Sequence, residues 1–394
     1  MDKRIYILMM VSFVVGLVEL IIGGIIDLIA VDLHVSLGKV GFLITIYSLI
    51  LGLLGPVLLV LTAKMERKKL TLLFLILFLV GNIVTAISTS YMILLAGRII
   101  SAVSASLLIN LCLVLAPSIV EVKYRGRALG IVSMGISGSI VLGLPIGLLL
   151  GNTFSWRAPF ILIIILTVLS LAGVYFFMKK VEPKPFLPLG EQLKTLKNRK
   201  IFFAQATTFL FLGGHTVLYA YFTPFLKDVA GFGESMVSVA YLIFGIAAVA
   251  GGGLGGIMGD WIGTRKSIFI VAIVFSCAIF SIPYTTFSFI LFAAVMVIWG
   301  AMSWAMSPSM QSYLIETAPE SSDIQQSINN SALHFGIAFG SFVGGIVIEQ
   351  STVNYNAIVA GIIVLFSIGT AYISMRGGAS GKSRREEERA QRQG

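Results

Sequence analysis

About twelve stretches of this chain are too apolar to leave in water, and each is long enough to cross a bilayer as a helix. With no water in the hydrocarbon to satisfy N–H and C=O groups, such a segment must satisfy its own backbone, which makes it a helix. The stretches run over about 5–30, 40–62, 70–88, 91–115, 128–151, 158–178, 202–226, 237–259, 267–284, 287–312, 329–349 and 355–375. Residues are 57% hydrophobic and 12% charged, and mean hydropathy is +0.97, values foreign to a soluble globule. The prediction is an all-α membrane protein with twelve transmembrane helices. The first stretch has no cleavage-type site after it and exceeds a signal-peptide core, so it is read as a retained helix. Cys112 and Cys277 both fall inside apolar stretches and suggest no disulfide framework.

A net charge of +10 invites a nucleic-acid reading, but the placement of the charge argues for topology. Of the 28 Lys and Arg residues, 24 fall in the termini and alternate loops on one side, including Lys64 to Lys69, Lys123 to Arg127, Lys179 to Lys200 and Arg265-Lys266. Only Lys39, Arg157 and Lys227 occupy the opposite loops, and Arg98 lies inside a span. That asymmetry predicts cytoplasmic termini in a multi-pass cell (inner) membrane protein, with no nucleic-acid partner.

The longest break, 179–201, carries Pro183, Pro185 and Pro188 and a Leu193 to Lys197 patch suited to a short surface helix. It separates an N-terminal six-helix bundle, 1–178, from a C-terminal one, 202–376, with a cytoplasmic tail at 377–394. After the eighth span comes Gly256-Ile257-Met258-Gly259-Asp260-Trp261-Ile262-Gly263-Thr264-Arg265-Lys266; after the second comes Ala63-Lys64-Met65-Glu66-Arg67-Lys68-Lys69. Aligning Asp260 with Ala63 puts Arg265 on Lys68, an offset of about half the chain. Two parallel halves around a midplane site describe a secondary transporter.

The second-half loop resembles the signature loop of the major facilitator superfamily at Gly256, Asp260, Gly263, Arg265 and Lys266. In that family the loop latches the cytoplasmic face. The first-half copy departs, with Ala63 at the aspartate position and Glu66 at a glycine position. Gly143, Pro145 and Gly147 in the fifth span are similar to the glycine-proline motif of drug:proton antiporters, which implies export. Several strings look like the bacterial purine base and nucleoside efflux pumps of that branch: Gly16 to Ile21, Leu61 to Lys68, Gly214-His215 with Leu218 to Phe222, Val297 to Gly300, and Gln311 to Glu316 with Ser321 to Ser327. Relatives tend to carry proline where this chain has Asp27.

Transport needs polar groups inside the membrane. Glu19 sits deep in the first stretch, where a carboxylate costs about 2.5–3.5 kcal/mol. It is the leading proton site, against the alternative of a structural glutamate. Asp27, read on the same helix about 80° round, is a second proton site or a solvated end residue. Arg98 resembles the antiporters' arginine motif, which biases a neighbouring acid; a snorkelling end residue is the alternative. For substrate, His215 and Tyr219 share one helical face, four residues apart. Asn82, Asn110, Trp299, Asn330 and His334, with Trp304 and Asn329 nearby, complete a polar-aromatic set suited to a flat heteroaromatic base, although each is a common packing residue as well. The acidic Glu316–Asp323 connection is expected to pair with Arg265-Lys266 and close the inner gate.

Three scattered histidines offer no metal spacing and no phosphate-cradling loop is present, so no cofactor is expected and the energy comes from an ion gradient or from the substrate's own gradient. The expectation is a monomeric proton-coupled carrier, not an enzyme, exporting purine bases or nucleosides. Its rivals are efflux of drugs, sugars or other small amphipaths, uptake instead of export, and a receptor that binds without transport.

Overall fold

The computed structural model describes residues 2–182 and 189–376. The prolines at 183, 185 and 188 and the tail from Gly377 lie outside the described residues. The described chain is helical almost throughout: α1 (Lys3–Gly24), α2 (Ile26–Asp32), α3 (Leu37–Leu61), α4 (Arg67–Ala86), α5 (Tyr91–Ile119), α6 (Arg125–Thr153), α7 (Ala158–Phe177), α8 (Leu189–Lys194), α9 (Arg199–Tyr219), α10 (Phe222–Pro224), α11 (Glu234–Ile262), α12 (Thr264–Ser281), α13 (Phe289–Thr317), α14 (Ser322–Gln350) and α15 (Asn354–Arg376). Among the described residues, twelve of these are long and apolar enough to span a membrane, as the sequence predicts.

The packing repeats itself. Helix α1 lies on α6 as α9 lies on α14; α3 lies on α5 as α11 lies on α13; α4 meets α5 and α7 as α12 meets α13 and α15. The first set meets the second chiefly through α3 on α14 and α6 on α11, and these two contacts are each other's counterparts under the repeat. Close approach needs small residues. A Cβ added to Gly251 or Gly255 of α11 would run into the backbone of α13 at Ala301 and Ala305.

Two expected spans are interrupted. The stretch read as 5–30 is α1, a break at Ile25, and the short α2; the stretch read as 202–226 is α9, a turn at Ala220-Tyr221, α10 and a π-helical turn, Phe225–Val229. Gly23 and Gly24 weaken the first helix where it stops, and Pro224 removes a donor beyond the second. Asp27 is therefore not on the helix of Glu19, and the 80° relation between them does not hold. Other helices run past their expected ends: α5 continues to Ile119 and α13 to Thr317. The expected surface helix of the central connection is present as α8 with a 3₁₀ turn, Thr195–Lys197.

At the end of the molecule away from the termini, called here the far end, Asp32 ties α2 to the start of α7. It accepts from the Trp156 indole and the Arg157 guanidinium, both at 2.9 Å, while Arg157 also donates to Ser88 O. The Trp156 hydrogen bond above all, with Arg157, outweighs partial burial and holds the Asp32 carboxyl below its ordinary value. A depressed carboxylate stabilises fully above its unfolded pKa of about 3.9 and loses that contribution as pH falls through the lower folded value. Acidification from about pH 5 to pH 2 should therefore lower the thermal midpoint of the protein, and Asp32→Asn should flatten that slope. An unchanged slope in the variant would remove Asp32 from the acid response.

Candidate functional site

Among the described residues, the side-chain bridges joining α1–α7 to α9–α15 fall into two places. Most lie at the far end. The Thr223 hydroxyl is 3.0 Å from both Gly23 O and Gly24 O, the carbonyls left loose where α1 breaks. Tyr241 Oη, 3.1 Å from the Thr223 hydroxyl, adds a longer contact of 3.5 Å to Gly23 O. Ser341 Oγ donates to Gly41 O at 2.9 Å, and Ser36 Oγ donates to Glu349. A charge pair completes the closure: Lys227 Nζ, on the π-helical turn, lies 2.6 Å from Asp27 Oδ2. Asp27 is thus paired across the two sets rather than left to solvent. Gly41 is required here, since a Cβ would occupy the position of the Tyr221 phenol, which itself donates to Ser341 O.

The remaining bridge lies midway along the helices. Glu19 Oε1 of α1 is 3.3 Å from His334 Nδ1 of α14, with side chains 18% and 9% exposed. Arg98 is not a snorkelling end residue. It is fully buried on α5, where Nη1 donates to Val18 O at 2.9 Å and the guanidinium sits 4.1 Å from the Tyr47 ring centre. Arg98 Nε and Nη2, Tyr47 Oη and Ser48 Oγ have no protein hydrogen-bond partner. Arg98 thus grips α1 one residue before Glu19, and Glu19 itself faces the histidine of the other set, whose Nδ1 has no protein hydrogen-bond partner.

On the other side of the interface, His215 stacks on Tyr219 at 4.9 Å, as four-residue spacing predicts. Trp299 lies 5.5 Å from His215, and Phe244 lies 4.8 Å from Trp299 and 5.0 Å from Tyr219. Phe222 and Tyr241 extend the cluster. The group is closely packed: Trp299 is fully buried, yet Trp299 Nε1 and His215 Nδ1 have no hydrogen-bond partner. Such a cluster can stack a flat ring and offer two polar edges.

Other expected members fall elsewhere. Asn82 is buried on α4, which packs on α5 and α7, and its Nδ2 donates to Phe78 O, so it is not brought to the aromatic cluster. Asn110 is half-buried on α5 and donates to Ser106 O. Asn330 is exposed one turn from His334, while Asn329 is buried and donates to Gln205 Oε1 at 2.9 Å and Thr208 Oγ1 at 2.8 Å. Gly143 and Gly147 face α1, where a Cβ would meet Leu17 and Ile21, and Pro145 lies between them within α6. The glycine-proline segment is thus the seat on which the Glu19 helix rests.

In the second-half loop Gly263 has a φ of 85°, a left-handed conformation suited to glycine, and ends α11. Gly256 is half-buried, and Asp260, Arg265 and Lys266 are exposed. Among the described residues, no ion pair joins the Glu316–Asp323 connection to Arg265-Lys266; Glu316 Oε2 accepts from Thr264 Oγ1 at 2.9 Å, and the Asp323 side chain lies outside the described residues. In the first-half loop Glu66 caps α4 by accepting from Lys68 N and Lys69 N and also holds Val181 N at 3.0 Å, so it fastens the central connection. Lys227, Thr223, Tyr47, Phe244 and Gln205 escaped the sequence reading. Each joins the site only through a helix remote in sequence, and no local spacing marks it.

Twelve packed spans in two repeated sets, with a buried acid–histidine pair between them, define a membrane transporter rather than an enzyme. A family model described as Major Facilitator Superfamily matches residues 8–323, and the chain belongs to that superfamily. It is 33% identical over 347 residues to the uncharacterized transporter YbcL of Bacillus subtilis, covering 88% of this chain and 89% of that one. It is 28% identical over 362 residues to the Escherichia coli inner membrane transport protein YdhP, covering 90% and 92%. The fold matches the crystal structure of a bacterial homologue of the human lysosomal transporter Spinster, described as inward-facing and occupied, with TM-score 0.79 at 14% identity, covering 94% and 96% of the two chains. It also matches the human organic anion transporter MFSD10, with TM-score 0.67 at 14% identity, covering 94% and 99%.

If the Asp27–Lys227 pair helps to hold the far end shut, Asp27→Lys should open it and Asp27→Lys with Lys227→Asp should close it again. With Ser341→Cys as reporter, an impermeant thiol reagent should label the single variant about fivefold faster, the effect of roughly 1 kcal/mol for a partly exposed pair. Equal labelling in all three backgrounds would leave the pair without a latching role.

Proposed function

We propose that this protein is a proton-coupled exporter of purine bases or nucleosides in the cell (inner) membrane, working by alternating access. The single observation that carries the reading is the Glu19–His334 pair, an ionisable bridge between the two helix sets at mid-depth. With Glu19 ionised and His334 protonated, the pair attracts and draws α1 toward α14. A proton taken up by Glu19 cancels that attraction, so the occupancy of one proton biases how the sets sit. Arg98 cannot serve as the proton carrier; it anchors the helix that carries Glu19.

In this reading residues 1–178 and 202–376 rock as two units about the central connection. The excess of basic residues on the termini side supports cytoplasmic termini, and the far end is then the outer gate. Thr223, Ser341 and Lys227 holding that end, with no ion pair of Arg265 or Lys266 among the described residues, support a state that opens to the cytoplasm. Asp27 serves the outer gate rather than coupling. The loop from Gly256 to Lys266 closes the inner side in the alternate state, and the seat at Gly143, Pro145 and Gly147 lets α6 carry α1 with it. His215, Tyr219 and Trp299 supply stacking faces and polar edges for a purine ring. A monomer holds both sets and suffices, with the proton gradient as energy source and no cofactor.

A second reading, efflux of a more apolar amphipath, is favoured by a cavity of about 470 Å³ between α3, α8, α9 and α14, walled by Leu53, Pro56, Phe202, Phe209 and Phe335.

Proteoliposomes loaded with radiolabelled hypoxanthine and given an imposed pH gradient separate these readings. Gradient-driven hypoxanthine flux is expected; flux of a hydrophobic dye in its place would support the second reading and sink the purine one. Glu19→Gln should reduce gradient-driven flux at least about 100-fold while leaving binding within a few-fold, because the proton step is lost but the pocket remains. His334→Gln should shift the pH dependence of transport, and an unaltered profile would remove it from coupling. His215→Gln should weaken hypoxanthine binding about tenfold, the effect of one or so lost hydrogen bond, with the proton dependence intact.

A further inference from the structure

We propose that a basic pocket between the first turn of α9 and the last turn of α15 binds the phosphate of an anionic phospholipid. The cavity is about 540 Å³ and is lined by Asn198, Arg199, Lys200, Tyr372, Ile373 and Arg376. It gathers three cations and no carboxylate. Among the described residues, none of the three has a carboxylate within 4 Å. Their positions are set by the two helices: Asn198 caps α9 by accepting from Lys200 N at 3.0 Å, and Ser374 Oγ of α15 donates to Lys200 O at 2.7 Å. Arg199 lies 5.7 Å from the Phe203 ring centre and Arg376 lies 5.7 Å from that of Tyr372, contacts that leave guanidinium N–H groups for an anion. The positive end of the α9 dipole adds to the field there.

The wall chooses between a lipid and a water-borne anion. Tyr372 and Ile373 are 54% and 37% exposed, and they begin the apolar outer face of a membrane span. A phosphate at the cations with acyl chains along α15 uses both surfaces, whereas free phosphate uses only the cations. Basic pockets between span ends at the membrane boundary have the electrostatics for such head groups. The site lies at the hinge-side start of the second helix set, remote from Glu19 and from the aromatic cluster.

Native mass spectrometry of the full-length protein, titrated with phosphatidylglycerol or with phosphatidylcholine of the same acyl chains, tests the proposal. Phosphatidylglycerol should bind about tenfold more tightly, and each of Arg199→Gln, Lys200→Gln and Arg376→Gln should lower its affinity about fivefold. Lys123→Gln, an exposed charge elsewhere, should leave it unchanged. The single variants, with thermal unfolding of each in detergent, keep the test meaningful should the triple variant fail to fold. Equal affinity for the two lipids, or full preference in the variants, would overturn the proposal. So would displacement of phosphatidylglycerol by low-millimolar inorganic phosphate, the mark of a simple anion site. If lipid preference emerges only after Glu386, Glu387 and Glu388 are changed to Gln, the pocket belongs to the glutamate run of the chain's own tail and the lipid reading falls.

Discussion

A helix interrupted inside a bilayer must have its loose carbonyls answered by protein or by a wet cavity, because the hydrocarbon offers nothing. This chain interrupts the leading helix of both sets on the same side, α1 after Gly24 and α9 after Tyr219. The carbonyls of Gly23 and Gly24 are answered from the other set, by Thr223. Integrity of α1 and closure of the far end are consequently one event. Were the sets to part there, those carbonyls would need water, and parting is what admits it.

The same helix carries the costliest residue in the molecule, and its surroundings hold it firmly. Glycines of α6 let α1 lie close along its length, and Arg98 fixes Val18 from the opposite flank. Glu19 is thereby held toward α14 with little freedom, so a change in its charge acts on the interface rather than on a mobile side chain. Its partner across the interface is His334, 3.3 Å away on α14. Where the polar groups of the second set have no such task they are bonded among themselves, as Asn329, Gln205 and Thr208 are.

The spans were legible because twenty-odd apolar residues in a row have one solution in lipid. Legible too were the repeat, through its two loops, and the His215–Tyr219 stack, through four-residue spacing. The breaks at Ile25 and Ala220 were not, because apolar residues continue through them and hydropathy is blind to backbone direction. Asn329 and Asn330 show the limit of reading side chains: adjacent in sequence and identical in type, one is bonded in the interior and the other is exposed. Glu316 was expected to meet a cation and met Thr264, since the reach between loops depends on how the helices end.

By itself the sequence determined an all-helical membrane carrier of twelve spans in two related sets, with an acid buried in the first. Those properties follow from solvation: apolar runs and isolated charges carry their free-energy cost wherever the chain goes. Only the tertiary structure decided that Glu19 faces His334, that Asp27 meets Lys227, and that most bridges between the two sets gather at the far end. Those pairings join residues 200 or more positions apart. They exist because helices α1, α9 and α14 converge, and convergence is a property of packing that no local pattern records.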